Sequence, residues 1–311
     1  MRALITGITG FVGSYLAEYL HLQGVEVFGT TSQKVKEKSN ISELSLHTSE
    51  EEIIRLLEKI KPDHIYHLAG FSNVKDSWNE KNNAFSVNVS LTINLLEAAR
   101  KSAISDTLRI LTVGSSEEYG RVANATQPIS EIETLQPMNP YGISKAAVSH
   151  LARQYYYAYG LKVVHARPFN HIGPGQRLGF VVPDFSSQII NMEKNQNEKV
   201  IKVGNLDAQR DFTDVRDIVR AYYYLLMEPS TSGEVFNVCS GVPVPISFLL
   251  QQLIRMSNQD IKLQVDESKL RPSDIPVYIG DNKKIIKLTG WKPQIPLETT
   301  LIESLEYLRQ L

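Results

Sequence analysis

A single cysteine, Cys239, stands among 311 residues, which excludes an intramolecular disulfide and a zinc site built on several thiolates. A reducing cytoplasm is the expected compartment. Long apolar runs are missing too: no uninterrupted stretch approaches the roughly 18 residues that span a bilayer. The opening Met-Arg-Ala-Leu-Ile-Thr-Gly is too short an apolar run for a signal-peptide core. An excess of one charge is also absent, with 33 Lys plus Arg against 34 Asp plus Glu. The net charge of −1 argues against a broad footprint on nucleic acid or acidic membranes and points to small molecules. A local basic pocket for a phosphorylated ligand passes that test.

What is present is alternation. Short β-branched runs at Arg2 to Thr6, Val25 to Thr30, His64 to Leu68, Arg109 to Val113 and Lys162 to Arg167 are separated by helical patterns. These patterns cover Val12 to Gln23, Glu50 to Lys59, Ala84 to Ser102 and Pro140 to Tyr159, with Gly24 and Gly160 as stop signals. The order predicts a Rossmann-type, doubly wound parallel α/β sheet. After Arg167-Pro168 the chain turns to short segments punctuated by prolines, with a helical stretch near Asp184 to Glu193, which predicts a smaller C-terminal α/β lobe. The length gives a prior of about two domains. The first is expected over 1–168, with segments near 211–238 returning to it, and the second over 169–210 and 239–311. Lys34 to Lys38 reads as a solvated loop.

Thr6-Gly7-Ile8-Thr9-Gly10-Phe11-Val12-Gly13 follows the first strand and opens the first helix. In that setting Gly7 makes the tight turn, Gly10 lets backbone approach a pyrophosphate, and Gly13 packs helix against sheet. An NAD site usually carries a carboxylate at the end of the second strand. Here that strand ends Thr30-Thr31-Ser32, with Lys34 and Lys36 beyond, which favours a ribose 2′-phosphate and hence NADP(H). With no arginine at the spot, the preference is expected to be loose, with NAD(H) also able to serve.

Tyr141 and Lys145 sit four residues apart at the start of a long helix, which places phenol and ammonium on one face, with Asn139 as N-cap and Pro140 at the first helical position. The lysine and an oxidised nicotinamide are expected to lower the phenol's pKa, so that Tyr141 can trade a proton with a carbonyl or alcohol oxygen. With 14 tyrosines in the chain, about one such pair arises by chance. Ser115, delivered by the strand ending at Val113, can hydrogen-bond the reacting oxygen or be an ordinary turn residue. The three features in this order carry more weight than any one of them.

Together with His67-Leu68-Ala69-Gly70, Asn88, Tyr119-Gly120, Arg167-Pro168-Phe169-Asn170 and Thr289-Gly290-Trp291-Lys292-Pro293, these motifs resemble the extended short-chain dehydrogenase/reductase family over essentially the whole chain. The resemblance implies an NADP(H)-binding Rossmann domain, cofactor contacts from Gly7, Gly10, Phe11, Val12, Gly13, Thr31, Ser32, Leu68, Ala69, Gly70, Tyr141 and Lys145, and a lobe for a nucleotide-diphosphate sugar. It implies Tyr141 as acid/base, Lys145 on the nicotinamide ribose and Ser115 on the sugar O4. Ser116-Glu117 and Phe169-Asn170-His171 are most similar to the members that act on GDP-mannose and its 4-keto-6-deoxy product. The implied reaction is reduction of the C4 ketone of GDP-4-keto-6-deoxy-D-mannose, giving GDP-D-rhamnose; the alternatives are 4,6-dehydration of GDP-mannose and a non-catalytic NADP(H) sensor. Phe11-Val12 and Ile172-Gly173-Pro174-Gly175-Gln176 both depart from the dehydratase pattern. Glu117 occupies the position of the dehydratase base and could instead be structural.

Asn170, just past a strand end, is placed to meet sugar or phosphate, and the resemblance puts Arg210 and Arg271 on the diphosphate and Asp274 on ribose hydroxyls. The planar fork of arginine suits phosphate. Arg177 and Lys202 read as solvated charges. His165 and His171 lack a second ligand at metal spacing, so no metal is expected. Tyr155, Tyr156, Tyr157 and Tyr159 suggest a buried or intersubunit face. The resemblance implies a homodimer joined by this helix and the one over Ala84 to Ser102.

Overall fold

The computed structural model describes residues 1–32, 40–45, 48–122, 127–194, 199–257, 259–267 and 275–311. Lys34, Lys36, Arg271 and Asp274 lie outside the described residues.

Strands alternate with helices through the first half: β1 (Arg2–Thr6), α1 (Phe11–Leu22), β2 (Glu26–Thr31), β3 (Ile41–Glu43), α2 (Glu50–Ile60) and β4 (His64–His67). There follow α3 (Val74–Ser77), α4 (Lys81–Phe85), a π turn over Ser86–Ser90, α5 (Leu91–Lys101), β5 (Arg109–Val113), α6 (Pro140–Tyr159) and β6 (Lys162–Pro168). Beyond lie β7 (Asn170–Ile172), α7 (Val181–Lys194), β8 (Val200–Val203), β9 (Gln209–Asp214), α8 (Val215–Met227), β10 (Val235–Val238), β11 (Pro243–Pro245), α9 (Ile246–Ser257), β12 (Lys262–Val265), β13 (Val277–Tyr278), α10 (Lys283–Thr289) and α11 (Leu297–Arg309). The expected strands and helices of the first half are present with boundaries moved by a residue or so. One helix differs more: the run expected from Ala84 begins at Lys81 and contains the π turn, which periodicity cannot reveal because its residues remain helical in type.

The large sheet has the order β10-β6-β5-β4-β1-β2-β3, and every pairing in it is parallel. Its strands are covered on both faces, as a parallel sheet requires. Ala3 and Ile5 of β1, Tyr66, Leu111 and Val164 join Leu16 and Leu20 of α1 and Ile218 to Leu226 of α8 in one core. Leu4, Ile65, Ile110 and Val163, one residue out of step, join Ile53 and Leu57 of α2, Leu95 and Leu96 of α5 and Ala152 of α6 in the other. The two-residue period of a strand thus feeds two cores from one sheet. The segments α8 and β10 join this sheet, α8 packing on one face and β10 pairing with β6.

A third core gathers Phe185 and Ile189 of α7, Leu249 and Leu253 of α9 and Leu301 and Leu305 of α11 around β8 and β9. Here a small sheet joins β11, β9 and β13, with β7 also on β9, and β12 pairs β8. This half holds more strand than its prolines suggest: Pro243 and Pro245 bound a three-residue strand at the edge of its sheet, where a missing N–H is tolerated.

Candidate active site

Strand order reverses at β1, which pairs with both β2 and β4, so the crevice beyond the carboxyl ends of β1 and β4 is the place where a doubly wound sheet takes its ligand. The glycine loop lies in that crevice. Gly7 has φ +72°, and a Cβ on it would fall 3.0 Å from the Ala69 nitrogen, so the loop passes directly over the end of β4. A Cβ on Gly13 would fall 2.3 Å from the Gly7 carbonyl oxygen, so only glycine lets α1 close on the loop. Gly10 is the N-cap of α1 with no side-chain cap, and no acidic residue stands in the first turn. The first N–H groups of a three-turn helix are therefore free of any competing side-chain cap and unopposed by a carboxylate, which fits a pyrophosphate.

A directed hydrogen-bond chain braces this cradle. The Ala69 N–H donates to Thr6 Oγ1 (3.1 Å), Thr6 pairs with His67 Nδ1 (2.8 Å), His67 Nε2 with Thr92 Oγ1 (3.0 Å), and Thr92 donates to the Asn88 carbonyl (2.6 Å). Only the Nε2–H tautomer of His67 satisfies every link. Burial, with Lys145 nearby, lowers the His67 pKa to about 3, so the ring stays neutral. Asn88 lies inside the π turn; its Oδ1 accepts from the Phe71 N–H (2.8 Å) and its Nδ2 donates to Ser144 Oγ (2.9 Å). Leu68, Ala69 and Gly70 are thus held between β1 and α6. A Cβ on Gly70 would come within 3.3 Å of Lys145 Nζ. Thr31 ends β2 buried against Thr9, their hydroxyls 3.1 Å apart, and Ser32 is exposed beside it. Phe11 and Val12 are half-buried at the helix start, and Phe11 stacks on His171, ring centroids 6.3 Å apart.

Tyr141 and Lys145 lie on the first turns of α6. Asn139 caps that helix by accepting from the Gly142 N–H (2.8 Å), with Pro140 following at the first helical position, as expected. Lys145 Nζ donates to the Val113 carbonyl at the end of β5 (2.9 Å) and lies 5.9 Å from the Tyr141 ring centroid. Ser115 lies within hydrogen-bonding reach of the Tyr141 hydroxyl. The phenol's pKa differs from expectation: burial, with Glu117 and Glu118 adding to it, raises it above the ordinary value against the Ser115 hydrogen bond. Burial instead lowers the Lys145 pKa to about 8, opposed by the Glu118 carboxylate. In the protein alone Tyr141 is therefore a protonated acid.

Ser115 opens a short 3₁₀ turn and accepts from the Glu117 N–H (3.2 Å), while its own N–H donates to Glu118 Oε1 (2.8 Å), a capping box. Glu117 is half-buried and accepts from Asn139 Nδ2 (2.7 Å), so it is tied to the cap of α6. Glu118, fully buried, accepts from Arg167 Nε (2.6 Å) and His165 Nε2 (3.0 Å).

Of the expected sugar contacts, Asn170 is exposed at the start of β7 and donates to the Asp211 carbonyl (3.3 Å). Arg210 in β9 is half-buried and donates to the Gln209 and Ile275 carbonyls. It is paired in register with Tyr278, whose hydroxyl donates to the Ser116 carbonyl (2.8 Å) beside Ser115. Arg177 is exposed, in keeping with a solvated charge, and also reaches Ser72 Oγ (3.3 Å) beyond Gly70.

The family model described as GDP-mannose 4,6 dehydratase matches residues 4–304. The chain belongs to the GDP-mannose 4,6-dehydratase family. This places it among the extended short-chain dehydrogenases/reductases. Among its relatives, a GDP-6-deoxy-D-mannose reductase of Pseudomonas aeruginosa is 32% identical over 303 residues, covering 96% of this chain and 94% of that protein. A GDP-6-deoxy-D-talose 4-dehydrogenase of Aggregatibacter actinomycetemcomitans is 32% identical over 291 residues, covering 93% and 92%. The solved structure of RMD from P. aeruginosa complexed with NADPH superposes with a TM-score of 0.84 at 31% identity, covering 99% of each chain.

Family motifs pointed to the cradle and to the Ser115, Tyr141 and Lys145 positions, but sequence reasoning assigned no role to Glu118, Asn139's contact with Glu117, or the Thr6–His67–Thr92 relay. A signal for Glu118 was present: Ser115-Ser116-Glu117-Glu118 has the Ser-x-x-Glu spacing of a capping box, and His165 and Arg167 interrupt an apolar strand.

Proposed function

We propose that this protein is a nucleotide-sugar 4-ketoreductase, reducing the C4 ketone of GDP-4-keto-6-deoxy-D-mannose to GDP-6-deoxy-D-mannose (GDP-D-rhamnose). The observation that carries the reading is the convergence of a protonated Tyr141, Ser115 within its reach and Lys145 one helical turn along, beside a glycine cradle that fits a dinucleotide. NADPH, when bound, supplies the hydride; NADH is expected to serve less well. Gly7, Gly10, Phe11, Val12 and Gly13 hold the pyrophosphate at the start of α1, Thr31 and Ser32 flank the adenosine ribose, and Leu68, Ala69 and Gly70 line the crevice. Ser115 and Tyr141 hold the ketone oxygen, and Tyr141 gives it a proton as C4 is reduced. Lys145 meets the nicotinamide ribose and offsets the negative charge left on the phenolate. Asn170, Arg210, Arg271 and Asp274 receive the GDP-sugar, in a lobe made of 169–210 and 239–311, while 1–168 with the returning 211–238 region binds the cofactor.

Dehydration of GDP-mannose would need a carboxylate aimed at the C5 proton, and Glu117, its counterpart here, has one oxygen held by Asn139 at the cap of α6. The test is a pair of incubations. NADPH oxidation with the 4-keto-6-deoxy sugar, giving the C4 configuration of rhamnose rather than talose, supports the reading; ketone formation from GDP-mannose alone replaces it with dehydration, and silence in both replaces it with an NADP(H) sensor.

A cytoplasmic homodimer accompanies this reading. No helix among the described residues is long and apolar enough to cross a membrane. Phe85, Ile143, Tyr157 and Tyr159 are exposed on α4 and α6, the helices a second copy would cover. Light scattering that returns a monomer at working concentration removes the dimer.

A further inference from the structure

Glu118 is a fully buried carboxylate with no part in the proposed reaction. Its carboxylate has 0% exposure. Taking such a charge out of water costs several kcal/mol even after relaxation, and an apolar pair of similar volume commonly serves stability as well. The surroundings are nevertheless built to keep it. A Cβ on Gly114 would collide with its Oε1, so the strand end carries glycine there. Arg167, which grips one oxygen at 2.6 Å, spends its other donors on Tyr119 (3.1 Å) and on Ser149 of α6 (2.9 Å), one turn beyond Lys145. His165 grips the other oxygen at 3.0 Å and has Thr112 on its Nδ1 (2.9 Å). The Ser115 N–H shares that second oxygen at 2.8 Å. One carboxylate therefore joins the ends of β5 and β6, the Ser115 turn and, through Arg167, the helix that carries Tyr141 and Lys145.

Resting on the ketoreductase reading, we propose that Glu118 is a positioning residue that fixes the Ser115 turn against α6 and balances the charge of Lys145. The groups that face it are Arg167 and His165 from β6, Lys145 and Tyr141 from α6, and Glu117 and Tyr119 from its own turn, with Glu131 acting on Tyr119 from the segment beyond. Burial holds His165 neutral, which leaves Arg167 and Lys145 as the cations. Glu118 stays ionised: burial opposes this, and the His165, Arg167 and Ser115 contacts outweigh it. Its charge favours the protonated forms of both Lys145 and Tyr141. Loss of the carboxylate should let both give up their protons at lower pH, in the direction that disables a proton donor.

The experiment compares the wild type with E118Q, E118D and the double variant E118L/R167M, which removes both charges of the buried pair and guards against a fold lost to an unpaired Arg167. Thermal melts establish which variants fold. In folded E118Q or E118L/R167M, kcat for the keto-sugar should fall about tenfold or more while KM changes little, and in E118Q, which loses the anion alone, the alkaline limb of the rate should move down by about one pH unit. E118D, with its charge kept, should lose rate and retain the limb. A folded E118Q with the wild-type limb, or a folded double variant with the wild-type kcat, overturns the proposal. NADPH affinity followed by fluorescence across pH reads the same charge without turnover: the pH at which affinity declines should fall with the carboxylate gone, and an unchanged midpoint counts against the proposal. If the wild type leaves NADPH unoxidised by the keto-sugar, the ketoreductase reading fails, and that midpoint alone decides the role of Glu118.

Discussion

Tyr141 holds its proton more tightly than a free phenol because it is buried near two carboxylates, and a ketoreductase needs it to give that proton up only as charge develops on the ketone oxygen. Tyr141→Phe should lower kcat by about a hundredfold to ten-thousandfold and leave NADPH affinity within about twofold, measured by steady-state rates and cofactor fluorescence. Lys145 works from the opposite direction. Its ammonium is disfavoured by burial, with a pKa near 8 in place of 10.5, so it is charged below that value and loses its proton as pH rises through it. The kcat/KM for reduction, which reports the free enzyme, should hold on the acid side and fall above about pH 8. A profile flat well beyond that point would detach Lys145 from the chemistry.

Two elements place these residues, and each does so through a polar side chain at a helix irregularity. The π turn over Ser86–Ser90 carries Asn88, which ties the Phe71 backbone to Ser144 of α6. Asn139 does two jobs at the start of α6: its Oδ1 caps the helix and its Nδ2 holds Glu117. Asn139→Ala should cost about 1 kcal/mol of stability as a lost N-cap, read from chemical denaturation. Asn139→Ser, which can still cap but is too short to keep the carboxylate contact, should retain most of that stability yet still lose rate, because Glu117 is released next to Ser115. A wild-type rate in Asn139→Ser would reduce the Glu117 contact to decoration. The cap of α6 was legible in Asn139-Pro140, and so was the Tyr141 to Lys145 turn, since both depend on spacing along one helix. The Asn139–Glu117 bond was not, because it joins segments 22 positions apart.

Across the whole molecule, buried imidazoles make the fold sensitive to acid. Burial lowers His64 to about 4 and His67 to about 3, and lowers His165 as well. Each of these groups takes a proton more readily in the unfolded chain, near the ordinary value of 6.5, than in the native protein. The stability they contribute is therefore complete above about pH 6.5 and is lost as pH falls from there through the native values. Unfolding midpoints in urea should decline on acidification below that point, and His67→Asn should flatten the decline; a midpoint constant down to about pH 4 would contradict the neutral buried rings.

The amino-acid order by itself determined the layered α/β fold, the glycine cradle and the Tyr141–Lys145 pair, because alternating strands and helices, a strand-to-helix glycine turn and a four-residue helical spacing are all local in the chain. It also carried the expectation of NADP(H), through the missing carboxylate after Thr31. Tertiary structure alone decided the charges. The direction of the Tyr141 shift, the capture of Glu117 by Asn139 and the clamping of Glu118 by His165 and Arg167 depend on burial and on which strand ends meet. Electrostatics at a site is set by solvent exclusion and by distance through space, and neither is written in the spacing of residues along the chain.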